Sequence, residues 1–405
     1  MGAGGGVNAG SHGYTVTADR TIVNNVTVGG GEARFDTAPR RARRRLNERG
    51  GGVVAIRRAG WHRGYGGRMS TRRPVLALLG APGVAPPPNL DELAELAEIR
   101  HCVADDLAQA LPGADVLVLW DFFSRGLADN WGDKTAALRW VHVCAAGVDS
   151  LLFDELTASD VVVTNAHGVF DRPIAEFVLA SILARDKRLH ESMALQRDHV
   201  WKHRETVGTS RSSALVIGTG GIGRATAQLL RAVGMRVVGG GRTARDTDPD
   251  FGRVIPTTEL ADHVGDFDNV VTIAPLTPQT AGLIDARVLE AMKPGTHLIN
   301  VGRGELVDEP ALVDALRSGH LGAASLDVFA TEPLPADSEL WDLPGVAISA
   351  HMSGDALGWR DALAEQVLEN LRRYVRLDAA AAGAELAEAL VNVVDKERGY
   401  ISVTR

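Results

Sequence analysis

The apolar run Ala214-Leu-Val-Ile217 leads directly into Gly218-Thr-Gly220-Gly221-Ile222-Gly223, and this junction limits the fold more than any other stretch of the chain. The glycine spacing alone carries little weight, because 45 Gly in 405 residues would give about 0.5 such matches by random placement. Its flanks carry the weight. Ile222, Ala225, Leu229 and Val233 share one helical face, Gly234 follows as a stop, and Met235-Arg-Val-Val238 is apolar again. Strand, glycine turn, helix and strand make a βαβ unit. In such a unit the glycines allow a tight turn, close approach of backbone to a ligand's phosphates, and close packing of the helix. The helix N-terminus then receives the phosphates, so Gly218, Gly220, Gly221, Ile222 and Gly223 are predicted to hold a dinucleotide.

The same alternation continues on the N-terminal side, as a parallel α/β architecture requires. Val75 to Leu79, Val116 to Trp120, Trp140 to Cys144 and Val161 to Thr164 read as buried strands, and Leu90 to Ile99 as a helix. Pro173 opens a longer helical pattern to Leu183 that is expected to cross between domains. A chain of 405 residues has room for two such domains.

Charge separates the first 73 residues from the rest. They hold fourteen Arg, no Lys and four acids (Asp19, Glu32, Asp36, Glu48), are rich in Gly, and keep neither a period of 2 nor one of 3.6. A disordered tail is expected there. The glycines spoil the amphipathic helix of a transit peptide, and Met69-Ser-Thr-Arg-Arg-Pro before the first strand reads as a natural initiator. Because the formal total is −8, the body beyond the tail is strongly acidic, which excludes nucleic acid as its main partner. No apolar run reaches the roughly 18 residues of a membrane span. Cys102 and Cys144 stand far apart, without the spacing of a disulfide framework or a zinc site. Reduced thiols, no bound metal and a cytoplasmic location are expected.

Three later segments carry chemistry: Leu298-Ile-Asn-Val-Gly-Arg303-Gly-Glu-Leu-Val-Asp308, Leu326-Asp327-Val-Phe-Ala-Thr-Glu332-Pro333 and Ile348-Ser-Ala-His351-Met-Ser-Gly354. In order and spacing these resemble the Arg, Glu and His motifs of the D-isomer-specific 2-hydroxyacid dehydrogenases, and most of all the glyoxylate/hydroxypyruvate reductase branch. Trp140-Val-His-Val-Cys-Ala-Ala146-Gly147-Val-Asp149 is similar to the family's substrate loop, and Ala274-Pro275-Leu-Thr-Pro-Gln-Thr280 to its cofactor-side turn. Asn392-Val-Val-Asp-Lys-Glu-Arg-Gly-Tyr400 resembles a C-terminal tail of that branch. The resemblance runs from about Val75 to Tyr400. It implies two Rossmann-like domains: a flavodoxin-like substrate domain from residues 74–172 and 354–405, and a doubly wound NAD(P)-binding domain from 173–353. It further implies a homodimer, Asp327 on the nicotinamide carboxamide, and backbone amides near Ala146 and Gly147 on the substrate carboxylate.

The chemistry explains the residue types. A 2-oxo acid places a carboxylate beside a ketone, and the planar fork of Arg303 can hold both while polarising the carbonyl. Reduction by hydride leaves negative charge on the ketone oxygen, so a proton donor is needed there. His351 suits that role, with Glu332 fixing its tautomer and favouring the protonated ring. Ala350 stands where the family usually has proline, and the Ala-rich run before the tail is longer than usual. Trp201 and Trp359 are candidates for the substrate pocket or the dimer seam, with buried packing the favoured reading of each. A nucleotide-sensing interaction protein of the co-repressor type is the alternative function, distinguished by cofactor binding without turnover. The short-chain dehydrogenases are excluded, since no Tyr-x-x-x-Lys pair is present.

Cofactor choice is read at the end of the second strand. A NAD site places an acid roughly 20 residues beyond the first glycine, on the ribose 2′-hydroxyl. Here that position is Gly241, followed by Arg242, Thr243 and Arg245. NADPH is therefore expected rather than NADH.

Overall fold

The computed structural model of the chain describes residues 72–122, 124–377 and 381–401. The expected N-terminal tail lies outside them save for its last two residues, which are anchored. Arg72 pairs with Asp115 at 2.7 Å, and Arg73 donates to the Ala94 and Ala97 carbonyls.

Five strands form the first sheet: β1 (Val75–Leu79), β2 (Glu98–Cys102), β3 (Val116–Leu119), β4 (Trp140–Val143) and β5 (Val162–Asn165). All pairs are parallel, in the order β2-β1-β3-β4-β5, the flavodoxin-like winding. Every residue of β1, β3, β4 and β5 is buried, as happens when helices cover both faces of a parallel sheet. The sequence Glu-Ile-Arg-His-Cys of β2 survives because it lies at the edge, where charged side chains reach water. Helix α1 (Leu90–Leu96) therefore stops three residues short of the expected end. From Glu98 onward the backbone pairs with β1 instead.

Helix α2 (Asp171–Asp186) and helix α3 (Leu189–Arg197) lead to a second, eight-stranded sheet. Its strands are β6 (Ser213–Ile217), β7 (Arg236–Gly241), β8 (Arg245–Asp248), β9 (Gly252–Pro256), β10 (Asn269–Thr272), β11 (His297–Asn300), β12 (Ala323–Leu326) and β13 (Val346–Ile348). Helix α4 (Gly221–Ala232) joins β6 to β7. The order β13-β12-β11-β10-β6-β7-β9-β8 is the doubly wound dinucleotide arrangement with two added edge strands, of which β8 is antiparallel to β9. Gly239, Gly240 and Gly241 belong to β7 because that strand runs flush against its neighbours. A Cβ on Gly239 would lie 2.9 Å from the Phe251 ring, and one on Gly240 3.2 Å from Ile217.

Helix α5 (Trp359–Tyr374) carries the chain back to the first sheet. Its Leu363, Val367, Leu368 and Leu371 share a core with Leu76, Val116 and Trp140, and Asn89 donates to the Ala364 carbonyl at 2.8 Å. The residues beyond it run along β5, with the Val394 amide on the Val163 carbonyl at 2.8 Å. Among the described residues no helix is long and apolar enough to cross a membrane.

Candidate active site

The residues singled out in the sequence gather at the C-terminal ends of parallel strands, the edge where open α/β sheets bind ligands. Gly147 follows β4, the glycine turn follows β6, Ala274 and Pro275 follow β10, and Arg303, Asp327 and His351 follow β11, β12 and β13. Gly218 has φ +119°, and a Cβ there would lie 2.8 Å from the Ala274 amide nitrogen. A side chain on Gly223 would strike the Gly218 carbonyl, so helix and turn can meet only through glycine. Gly220, in contrast, faces open space, and as the N-cap of α4 it offers no side chain to the first amides of the helix. Unsatisfied amides that open onto space fit a diphosphate.

Sequence reasoning did not identify Asp171. Its carboxylate and the His167 ring lie against Gly221, at the same helix end. Burial pushes the Asp171 carboxyl above its ordinary range, despite the opposing His167 charge and Gly168 amide. Nothing in the glycine motif signals this neighbour, which enters from the first turn of α2.

At the other end of the cleft, His351 Nδ1 and Glu332 Oε2 are 2.8 Å apart. Burial drives the Glu332 carboxyl up, but the His351 hydrogen bond, the Phe329 amide and the charges of His351 and Arg303 outweigh it and hold it below its ordinary value. Glu332 is thus a carboxylate aimed at the imidazole. His351 itself has φ +51°, a left-handed conformation costly for a side-chain-bearing residue. Asp327 holds it there. The Asp327 carbonyl accepts from the His351 amide at 2.8 Å, and its carboxylate oxygens accept from Met352 N at 2.9 Å, Ser353 N at 3.0 Å and the Ser349 hydroxyl. The carboxylate expected on the nicotinamide thus also fixes the backbone of the histidine loop.

Arg303 is already occupied. Its Nε donates to both oxygens of Asp149 at 3.2 Å, Nη2 lies 3.1 Å from Asp149, and Nη1 donates to the Gly302 carbonyl at 2.8 Å. The guanidinium presses on Gly147, where a Cβ would collide with Nη2. Among the described residues the amides of Ala146 and Gly147 have no protein acceptor, while Asn165 holds the Ala146 carbonyl at 2.6 Å. Asp149, 154 residues from Arg303 in sequence, was read only as part of the substrate loop.

The arginines after β7 are not equivalent. Arg245 Nε donates to Asp248 at 3.0 Å, and Asp248 is also held by Arg224 of α4 at 3.2 Å. Burial pushes the Asp248 carboxyl up, yet Arg224 and the Asp250 and Phe251 amides overcome it and bring it to about 2. Arg245 thus shares the Asp248 carboxylate with Arg224, and among the described residues its Nη2 has no protein partner. Arg242 and Thr243 are exposed. Trp359 packs as expected, against Phe122 and Phe170. Trp201 does not: it is 101% exposed, and Val200, Val207, Leu189 and Met193 are exposed as well. The segment after α3 is tied back to α2 and α3, with the Val207 amide on the Asp186 carbonyl at 3.0 Å and Arg204 3.4 Å from Glu191, but these apolar side chains stay exposed.

A dinucleotide-type sheet that carries a carboxylate-held histidine and an arginine on its ligand edge is the arrangement of a nicotinamide-linked oxidoreductase. Residues 179–353 match the model of the D-isomer specific 2-hydroxyacid dehydrogenase NAD-binding domain. A glyoxylate reductase of Thermococcus gammatolerans is 31% identical over 68% of this chain and 84% of its own. A D-3-phosphoglycerate dehydrogenase of Mycobacterium leprae is 34% identical over 69% of this chain, which spans about half (53%) of that relative's length. Among solved structures, the NADPH-dependent glyoxylate/hydroxypyruvate reductase of Sinorhizobium meliloti, in complex with NADP and sulfate, is 26% identical with a TM-score of 0.66. It is covered in full by 81% of this chain. A 2-hydroxyacid dehydrogenase of Xanthobacter autotrophicus in complex with NADPH and MES is 28% identical over 81% of this chain and all of its own, with a TM-score of 0.67. The chain belongs to the D-isomer-specific 2-hydroxyacid dehydrogenase family.

Proposed function

We propose that this protein reduces a small 2-oxo acid of the glyoxylate or hydroxypyruvate class to the D-2-hydroxy acid, with NADPH as the reductant. The observation that carries the reading is the 2.8 Å contact between Glu332 and His351 beside a guanidinium and two amides that have no protein acceptor among the described residues. When bound, the dinucleotide supplies a hydride to the ketone carbon. Gly218, Gly220, Gly221, Ile222 and Gly223 would hold its phosphates, with Ala274 and Pro275 on the cofactor side. The amides of Ala146 and Gly147 receive the substrate carboxylate. Arg303, steadied by Asp149, faces the ketone oxygen and lowers the energy of the charge that develops on it. His351 then delivers the Nε2 proton to that oxygen, while the Glu332 carboxylate stabilises the imidazolium form until the proton leaves. Asp327 acts on the backbone that aims the ring, a role that supports catalysis whether or not it also meets the nicotinamide.

Preference for NADPH is supported by Gly241 in place of an acid, by exposed Arg242 and Thr243 next to it, and by the NADPH or NADP complexes of the structural neighbours. The substrate lobe is proposed as residues 74–172 with 354–405. A homodimer is proposed through the exposed Leu189, Met193, Val200, Trp201 and Val207, since a second copy would cover an apolar arm that the chain itself leaves bare. Purified protein should oxidise NADPH in the presence of glyoxylate or hydroxypyruvate. Tight cofactor binding with negligible turnover of either acid would instead return the sensing role.

A further inference from the structure

The C-terminal tail connects the two sheets at a point that the proposed reaction does not explain. It is fixed to the first sheet by the backbone pairing with β5 and by Lys396, whose Nζ donates to the carbonyls of Leu156 at 2.9 Å, Ser159 at 2.6 Å and Val161 at 3.0 Å. A turn then closes on Asp395, whose amide donates to the Tyr400 carbonyl at 3.1 Å while its own carbonyl accepts from Gly399 at 2.9 Å. This places the Tyr400 ring against the second sheet. The Arg242 guanidinium carbon lies 5.4 Å from the ring centroid, and Arg242 Nη2 donates to the Tyr400 hydroxyl.

We infer that Tyr400 is a positioning residue for Arg242, and that the tail thereby sets the preference for a dinucleotide bearing a 2′-phosphate. This rests on the NADPH reading. An exposed arginine at a strand end samples many rotamers and loses that freedom when it binds a phosphate. A ring beneath the guanidinium and a hydroxyl on one nitrogen remove much of the freedom beforehand. Among the described residues Nε and Nη1 have no protein acceptor, so donors remain for a phosphate. The neighbouring Arg245 is held differently, its Nε on the Asp248 carboxylate.

Equilibrium Kd values for NADPH and NADH from fluorescence titration, beside steady-state kinetics of the full chain, test this in four variants, with Kd expected to follow KM: Arg242→Ala, Tyr400→Phe, Tyr400→Ala and the Arg242→Ala/Tyr400→Ala pair. Tyr400→Ala is expected to raise KM for NADPH by about 3- to 10-fold with kcat retained. Its effect on KM for NADH should be small, Tyr400→Phe should lie between, and the double variant should match Arg242→Ala alone. A selective effect of Arg242→Ala with none from Tyr400→Ala overturns the role of Tyr400 and leaves the cofactor reading standing. Equal losses with both cofactors, or a full Tyr400 effect added to that of Arg242, mean that the tail acts on the fold and not through Arg242. If Arg242→Ala does not change KM for NADPH, the cofactor reading fails and the inference with it.

Discussion

At the proposed catalytic end of the cleft each working group is held by a carboxylate: Asp149 sits on Arg303 at 3.1 Å and Glu332 on His351 at 2.8 Å. At the end of β7 the pattern divides. Arg245 is matched by Asp248, while Arg242 rests on an aromatic ring and a hydroxyl. A paired group keeps its orientation, which is what a proton donor and an electrostatic clamp need. An arginine held by a neutral ring keeps its net charge for a ligand, which is what phosphate selection needs.

Removing the clamp should have the largest effect. Arg303→Ala is expected to lower kcat/KM for the 2-oxo acid by about 10³-fold. Arg303→Lys should recover little of this, because a point charge cannot replace a planar fork. Near-normal kinetics with Lys would show that the ketone needs only positive charge at this end. Next comes the phosphate end, where loss of one charge-assisted contact worth about 1.5 to 3 kcal/mol corresponds to roughly 10- to 150-fold in KM for NADPH on Arg242→Ala. Equal changes for NADH would erase the contrast between the two ends. Asp327→Asn should lower kcat by on the order of 10-fold, because the histidine loop loses an acceptor while all reacting groups remain. A rise in the cofactor Kd with kcat intact would place Asp327 on the nicotinamide instead. The smallest effect belongs to Arg245→Ala, expected to change the NADPH to NADH ratio by less than about 3-fold. That variant should instead lower Tm, since buried Asp248 loses one of its two arginine partners. A large selectivity change from it would mean that the Asp248 pair opens to receive the phosphate.

Local patterns carried the βαβ unit, the parallel strands and the ordered Arg, Glu and His segments, because each is written in a few consecutive residues. The edge strand β2 is hidden in the sequence, since Glu98, Arg100 and His101 interrupt the apolar run that a buried parallel strand shows, while Leu93 and Leu96 carry a helical spacing toward it. Pairings across the fold left no local trace. Asp149 meets Arg303 and Tyr400 meets Arg242 over separations of 154 and 158 residues. Asp171 reaches the glycine turn only because α2 packs on α4. Trp201 failed for another reason: hydrophobicity marks a surface to be covered, without saying whether the cover comes from the same chain.

The proposed reaction depends above all on His351 as the proton donor. In His351→Asn the Glu332 carboxylate and the Arg303 clamp remain, so turnover and cofactor affinity can be separated in one protein. With glyoxylate or hydroxypyruvate, kcat is expected to fall at least about 10²-fold while the Kd for NADPH, measured by fluorescence titration, stays within about 2-fold of wild type. Wild-type kcat on both acids in that variant would contradict the mechanism outright.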